Sequence, residues 1–319
     1  KEMCFLVNIS TTRSHKSGFL PRLKKNFIQH RSLYLISIPI VLYFVVFKYI
    51  PMFGVVIAFQ DYRPGLGILG SKFVGFKYFI DFLTSPNAIR TIRNTIVLNV
   101  YNLIFGYTSP IIFALLLNEL RLQRYKKVVQ TISYMPHFIS LVVVCGILKD
   151  FTSSYGIFND LAEFFGYERQ NMLSNVDLYR ALYVGSGVWK DLGWGSILYL
   201  ATLSSADPNL YEAATIDGAG RWKQLIHITI PTIMPIATLQ LIMKVGSIMS
   251  IGAEKTILLY TPLVYEKADI ISSFVYRRGL QEMNFSFGAA VGLFNSVINL
   301  CLLVAANWSA RQMTGESMW

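Results

Sequence analysis

Glu212–Pro231, EAATIDGAGRWKQLIHITIP, lies between two long apolar runs and suits neither hydrocarbon nor open water. Glu212, Asp217, Arg221 and Lys223 carry charges that are expensive to place in lipid. Trp222, Leu225, Ile226, Ile228 and Ile230 carry apolar area for which a solvated loop has no use. The stretch predicts a polytopic membrane protein with a connection at one membrane face that is built to touch something.

The rest of the chain agrees. Of 319 residues, 53% are apolar and 15% charged, whereas a soluble domain carries about 25% charged residues. The net charge of +11 is read as basic residues that orient spans in the bilayer, so no nucleic-acid partner is expected. Cys4, Cys145 and Cys301 are odd in number and far apart, and His15, His30, His137 and His227 are scattered without ligand spacing. They predict neither a disulfide framework nor a metal site.

Residues 1–32 form a basic tail with Arg13, Lys16, Arg22, Lys24, Lys25 and Arg31. Phe19, Leu20, Leu23 and Phe27 alternate with its charges in a pattern that fits a helix along the inner membrane surface. The run 33–59 is too long for a signal peptide and lacks a small-residue cleavage site. It is the first span, interrupted by Lys48 and Pro51. Runs at about 95–117, 128–148, 181–203, 231–253 and 288–307 each approach the ~20 residues that cross a bilayer. These boundaries give an all-α fold of six transmembrane helices, because backbone polar groups in lipid must pair within the segment. The membrane domain covers 33–307, and 308–319 is a C-terminal tail. Lys and Arg near the span ends place both termini, the connection 118–127 and the connection 207–230 in the cytoplasm. The charge-balanced connections 149–180 and 254–287 fall outside, and 58–94 joins them by parity.

Gly65, Gly67 and Gly70 give a formal GxGxxG, but a span precedes it and the loop reads as a turn. There is no GxxxxGK[ST], HExxH, CxxC or GxSxG. No catalytic residue, bound cofactor or metal ligand is therefore expected on this chain, and any nucleotide belongs to another. Charges inside the spans are more informative, since such groups usually face a water-filled path or pair with one another. Lys48, Trp189, Lys190, Asp191, Trp194 and Lys244 are the candidates for a substrate path. Tryptophan beside polar groups suits a sugar, and lysines in the path would suit an anionic chain such as a uronate oligomer. Two other readings stay open: Lys48 and Lys244 snorkelling to an interface, and a local break in the fourth helix with Lys190 and Asp191 paired.

In the opening stretch, Asp207 and Pro208 mark a helix start, Asn209–Ile216 a short helix and Gly218 its stop. A second helix over about Ala219–Ile230 puts Trp222, Leu225, Ile226 and Thr229 on one face, and Pro231 and Pro235 restart the chain as span five. With Asp207, Glu212 and Asp217 present, an anionic lipid surface suits the connection less well than a protein pocket does.

Glu212-Ala213-Ala214, Gly218, Ile228 and Pro231 resemble the EAA loop of the membrane subunits of binding-protein-dependent ABC importers, with Ile230 where Leu is commoner. FKYIPMFGVVIAFQDYRP (47–64), NTIVLNVYN (94–102), ALLLNELR (114–121) and QTISYMPHFISLVVV (130–144) resemble the oligosaccharide branch of that family, the LplB-like permeases and the permease subunit of the alginate importer. The resemblance implies the type I ABC importer permease fold in a bacterial inner membrane. It further implies a coupling helix that docks on a cytosolic ABC ATPase dimer, which holds the ATP and Mg. Glu212, Ala213, Ala214, Asp217, Gly218, Arg221, Trp222, Ile228 and Pro231 form that coupling site, with Glu212 meeting a basic residue and Gly218 setting the bend. A periplasmic substrate-binding protein delivers an oligosaccharide, which in this branch includes acidic ones such as alginate. A second, homologous permease subunit completes a heterodimer. The alternative is an ion-coupled secondary sugar transporter with Lys190 and Asp191 carrying protons. A membrane enzyme ranks last for want of clustered acids or histidines.

Overall fold

The structure, a computed structural model, describes residues 31–250, 252–315 and 318. Cys4 and the surface helix expected within the basic tail lie outside the described residues. The chain divides into two units between Val55 and Val56. The first carries most of α1 (Arg31–Phe59), an apolar helix with Pro39 inside it and a π turn at Val45–Tyr49. That wider turn, closed by the Ile50 N–H donating to the Val45 carbonyl, comes just before Pro51, whose ring cannot follow a regular α-turn. Lys48 sits on it.

The second unit opens with a hairpin of β1 (Gln60–Asp61) and β2 (Lys72–Phe73), Gln60 opposite Phe73 and Asp61 opposite Lys72. The glycine-rich segment between them turns at 64–66 and closes in a short helix, Gly67–Gly70, with Gly67 at φ +66°. Then follow α2 (Lys77–Leu83), α3 (Pro86–Asn118), α4 (Gln123–Tyr134), α5 (Leu141–Thr152), α6 (Ile157–Phe164), α7 (Tyr179–Ser204), α8 (Pro208–Ile216), α9 (Arg221–Gly246), α10 (Ala253–Leu259), α11 (Ile271–Val275) and α12 (Phe285–Thr314). Among the described residues, five helical runs are long and apolar enough to cross a membrane: Arg31–Phe59, Pro86–Asn118, Leu141–Phe164, Arg221–Gly246 and Phe285–Gln312. α7, with 26 residues, matches them in length but carries Arg180, Lys190 and Asp191.

Three expectations about the spans change. The run 128–148 is not one helix: Met135–Phe138 is a 3-10 turn at Pro136, and α5 restarts at Ser140, whose hydroxyl accepts from the Val143 N–H at 3.3 Å. Pro136 removes a helical donor there, and the serine cap fixes the new start. The break considered for the fourth helix is absent, since α7 is continuous. α9 also begins earlier than expected, inside the polar connection.

α3 lies along α7, and α9 lies along α12. At Gly193 the backbone of α7 meets the end of α4; a Cβ there would run into the Ser133 carbonyl and the Tyr134 ring. Leu98, Tyr179, Tyr183, Leu259 and Ile270 are buried where α10 and the following connection close over α3 and α7. Phe82, Phe274, Phe287 and Val291 form a second core between α2, α11 and α12. A charged knot fixes the connection after α10. Asp269, fully buried, accepts from Arg277 at 2.7 and 2.9 Å and from Arg90 at 3.2 Å. The Ser273 hydroxyl adds a 2.8 Å bond to the same carboxylate. Asn94 of α3 donates to the main-chain carbonyls of Glu266 and Asp269 at 2.9 and 3.0 Å and accepts from Arg180 of α7 at 2.7 Å. The Arg277 guanidinium, held charged by this carboxylate and by Tyr260, is raised above its ordinary value even against its burial.

Candidate functional site

The connection between α7 and α9 is a bent, internally tied loop. The Asp207 side chain accepts from the Asn209 N–H at 2.9 Å and starts α8, with Pro208 in the first turn. The helix ends at Gly218, φ +74°, where the Ala219 N–H reaches the Ala214 carbonyl at 2.8 Å and the Gly218 N–H that of Thr215 at 3.1 Å. A Cβ on Gly218 would meet nothing within 4 Å. Glycine is needed there for its backbone angle and not for space. Gln224 ties the two limbs, donating to the Thr215 hydroxyl at 3.0 Å and the Ala219 carbonyl at 3.1 Å. Tyr211 and Thr229 meet through their hydroxyls at 3.1 Å.

Glu212, Ala213, Asp217, Gly218 and Arg221 are exposed, as is Pro231, while Ala214 and Ile228 are half-buried. Apolar side chains stand in the open beside them: Ile216 is 86% exposed and Trp222 77%. The face expected of Trp222, Leu225, Ile226 and Thr229 is split. Trp222 and Ile226 point out, Leu225 is half-buried and Thr229 is buried. The cause is a π turn at Leu225–Thr229, closed by the Ile230 N–H on the Leu225 carbonyl, which shifts the helical period just ahead of Pro231. Pro231 therefore does not restart the chain; α9 runs through it.

The candidate path residues fall in four places. A cavity of about 390 Å³ is lined by Asn99, Asn102, Asp191, Lys244, Glu254 and Lys255, among others. A neighbouring cavity of about 630 Å³ shares Asp191 and Lys244 and adds His137, Trp194 and Gln240. Asp191, Trp194 and Lys244 thus come together. Trp189 instead lines an apolar cavity of about 440 Å³ with Val144, Phe151 and Phe158. Lys190 turns to the main-chain carbonyl of His137 at 2.6 Å, and Lys48 lies in the first unit. The pairing of Lys190 with Asp191 weighed from the sequence does not form. Consecutive residues on a helix diverge, and both side chains reach His137, Asp191 through the ring Nδ1 at 2.9 Å. The His137 ring stacks on Trp194, centroids 4.5 Å apart and planes 2° from parallel, so one face of that indole is occupied.

Several residues that line these cavities, among them Asn102, His137 and Lys255, carry no site expectation from sequence. By spacing His137 reads as one of the scattered histidines, although its place directly after Pro136 in a span marks it. Lys255, in the polar connection after span five, carried no signal.

Known proteins agree with this architecture. Residues 106–315 match the sequence profile of the family described as "Binding-protein-dependent transport system inner membrane component". Over 299 residues, 93% of each chain, the protein is 44% identical to the polygalacturonan/rhamnogalacturonan transport system permease protein YteP of Bacillus subtilis (strain 168). It is 42% identical over 288 residues to Protein LplB of the same organism, covering 90% of this chain and 91% of LplB. The fold matches a chain in the crystal structure of a bacterial ABC transporter involved in the import of the acidic polysaccharide alginate. There the TM-score is 0.85 and the identity 39%, covering 92% of this chain and 99% of that chain. A bacterial alginate ABC transporter in complex with its alginate pentasaccharide-bound periplasmic protein matches with a TM-score of 0.86 at 38% identity, covering 93% and 100%. The chain belongs to the family of binding-protein-dependent transport system inner membrane components. It is a membrane-embedded permease of an ABC importer with the type I fold, a transporter and not an enzyme, and the ion-coupled alternative is set aside.

Proposed function

We propose that this permease forms part of the path for an acidic oligosaccharide, a uronate-containing chain. The observation that carries this reading is Lys244 and Lys255 lining one polar cavity, where Asp191 is engaged by His137 and Glu254 is exposed, in a protein whose relatives include a polygalacturonan/rhamnogalacturonan permease and a chain of an alginate importer. A periplasmic binding protein loads the sugar from outside, and the termini and the α8 loop face the cytoplasm. A second, homologous permease subunit completes the path as a heterodimer. The loop from Asp207 to Ile230 docks on a cytosolic ATPase, which binds the ATP and Mg. Glu212, Ala213, Ala214, Asp217, Gly218, Arg221, Trp222, Ile228 and Pro231 make or shape that contact. The exposed apolar side chains between charged ones support it, because anchors of this kind fill pockets on a partner.

The test is uptake by proteoliposomes carrying the assembled importer and its binding protein. ATP-dependent accumulation of oligogalacturonate or alginate oligomers, well above that of neutral oligosaccharides of equal length, is expected. Equal uptake of neutral chains would discard the acidic substrate class.

A further inference from the structure

Lys255 belongs to α10, a 7-residue helix outside the long spans, and its side chain is turned into the protein. Its ammonium donates to the Tyr183 main-chain carbonyl at 2.6 Å and lies 4.5 Å from the centre of the Tyr183 ring. Tyr183 is buried, so the lysine stem runs along packed protein and only its tip meets the cavity. Among the described residues no carboxylate forms an ion pair with it. Asp191 is engaged by His137, and Glu254, next in the chain, is an exposed part of the same lining. An ammonium offers three donors, and one carbonyl and one ring face leave it under-supplied. A cation withdrawn from water with no counter-ion is costly, and inside membrane proteins such a group marks a pathway for something that neutralises it.

What faces this cation is set by Gly187 on α7. A Cβ at that position would stand 3.1 Å from the Lys255 ammonium and 4.0 Å from the Asn102 amide oxygen. With hydrogen there instead, the ammonium and the amide flank one opening on the cavity wall. An ammonium beside an amide can take a carboxylate and an adjacent hydroxyl together, which is the pattern of a hexuronate ring. A neutral hexose offers nothing for the charge.

We infer that Lys255, with Asn102 beside it across Gly187, is a carboxylate-binding subsite of the translocation path that selects uronate over neutral sugar units. This rests on the acidic-oligosaccharide reading above and assigns its charge recognition to a residue. Lys255 binds the carboxylate and Asn102 positions the ring.

The test is direct binding, by calorimetry, of trigalacturonate and of its uncharged methyl ester to the purified, fully assembled importer without the binding protein. In the wild type the acid binds tighter than the ester. Lys255→Met lowers affinity for the acid by roughly tenfold or more, as loss of a charge-assisted bond does, and leaves the ester unchanged. Lys255→Arg keeps most of the preference. Gly187→Ala, which puts a methyl group beside the ammonium, weakens the acid selectively and serves if the Lys255→Met complex does not assemble. Equal losses for acid and ester, or no loss for either, overturn the assignment. If the wild type imports the acid yet binds it no tighter than the ester, Lys255 is not the selector although the substrate class stands. If the wild type neither binds nor imports the acid, the substrate reading fails and the subsite with it.

Discussion

His137 and Asp191 join the third span to the fourth at the place where the third is broken, ring Nδ1 to carboxylate Oδ1 at 2.9 Å. Lys190 holds the His137 carbonyl from the same helix at 2.6 Å, and Trp194 holds its ring by stacking. Three neighbouring positions on α7 thus fix the 3-10 turn that Pro136 creates. The turn's own main-chain hold is short, with the Ile139 N–H on the Pro136 carbonyl at 3.2 Å.

This arrangement predicts coupling between the two side chains. A double-mutant cycle of His137→Ala and Asp191→Ala, read from chemical unfolding of the purified complex, should give an interaction of about 0.5–3 kcal/mol. Additive single losses would show the contact to be incidental. Both cavity-facing groups are also expected to lower uptake when replaced.

The coupling loop should separate stability from coupling. Trp222→Ala removes a side chain that is 77% exposed, so unfolding should change by no more than about 0.5 kcal/mol. Co-purification with the ATPase should nonetheless fall markedly, as at an interface anchor. Gly218→Val forces a β-branched residue to φ +74° and costs about 1–2 kcal/mol locally. It should uncouple ATP hydrolysis from uptake, as should Glu212→Lys. Normal transport by the Gly218→Val importer would remove the bend from the mechanism.

Asp269 is the residue whose loss should be least tolerated. It is fully buried beneath Arg90 and Arg277. Asp269→Ala strands two guanidinium groups and should destabilise the protein by about 3–5 kcal/mol. The measurement is the yield of folded complex and its melting temperature. An Asp269→Ala protein as stable as wild type would show that solvent or lipid replaces the carboxylate.

Binding of acidic sugar should depend on pH through Lys255. Burial pulls its ammonium down to about 8, Lys190 pushes the same way, and Cys145 and Asp191 oppose. The charged and titratable groups around it are Cys145 from α5, Tyr183, Lys190 and Asp191 from α7, Lys244 from α9 across the shared cavity, and Glu254 on its own helix. The lysine is charged below this value and attracts carboxylate. As pH rises through about 8 it loses its proton, and affinity for trigalacturonate should fall while that for the methyl ester stays level. Lys255→Arg should flatten the profile, because guanidinium keeps its proton throughout. A wild-type profile that is level from about pH 7 to about pH 9.5 would contradict this.

Much of the architecture could be read from the chain because lipid imposes long apolar runs, and the helix–glycine–helix form of 207–230 follows from Asp207, Pro208 and Gly218. Trp189 and Trp194 were grouped by proximity in sequence, yet five helical steps place them about 140° apart, and they serve different cavities. The break at 135–140 hid in a mostly apolar run, with Pro136 and the Ser140 cap as its signs. The split of the Trp222 face came from a π turn, which residue spacing at 3.6 per turn cannot register. Lys255 hid for a different reason: a lysine in a charge-balanced connection reads as solvated until the fold turns it inward.

α9 is one helical run from Arg221 to Gly246, and this has a mechanical consequence. Trp222 lies in its first turn and Lys244 in its last, about 33 Å apart at 1.5 Å per residue. Tied to α8 by Tyr211 and Gln224, the base of this rod moves with the loop. In the proposed importer, a push on the loop would therefore arrive at the cavity as a displacement of Lys244, with the stroke of the motor and the grip on the cargo at two ends of one lever.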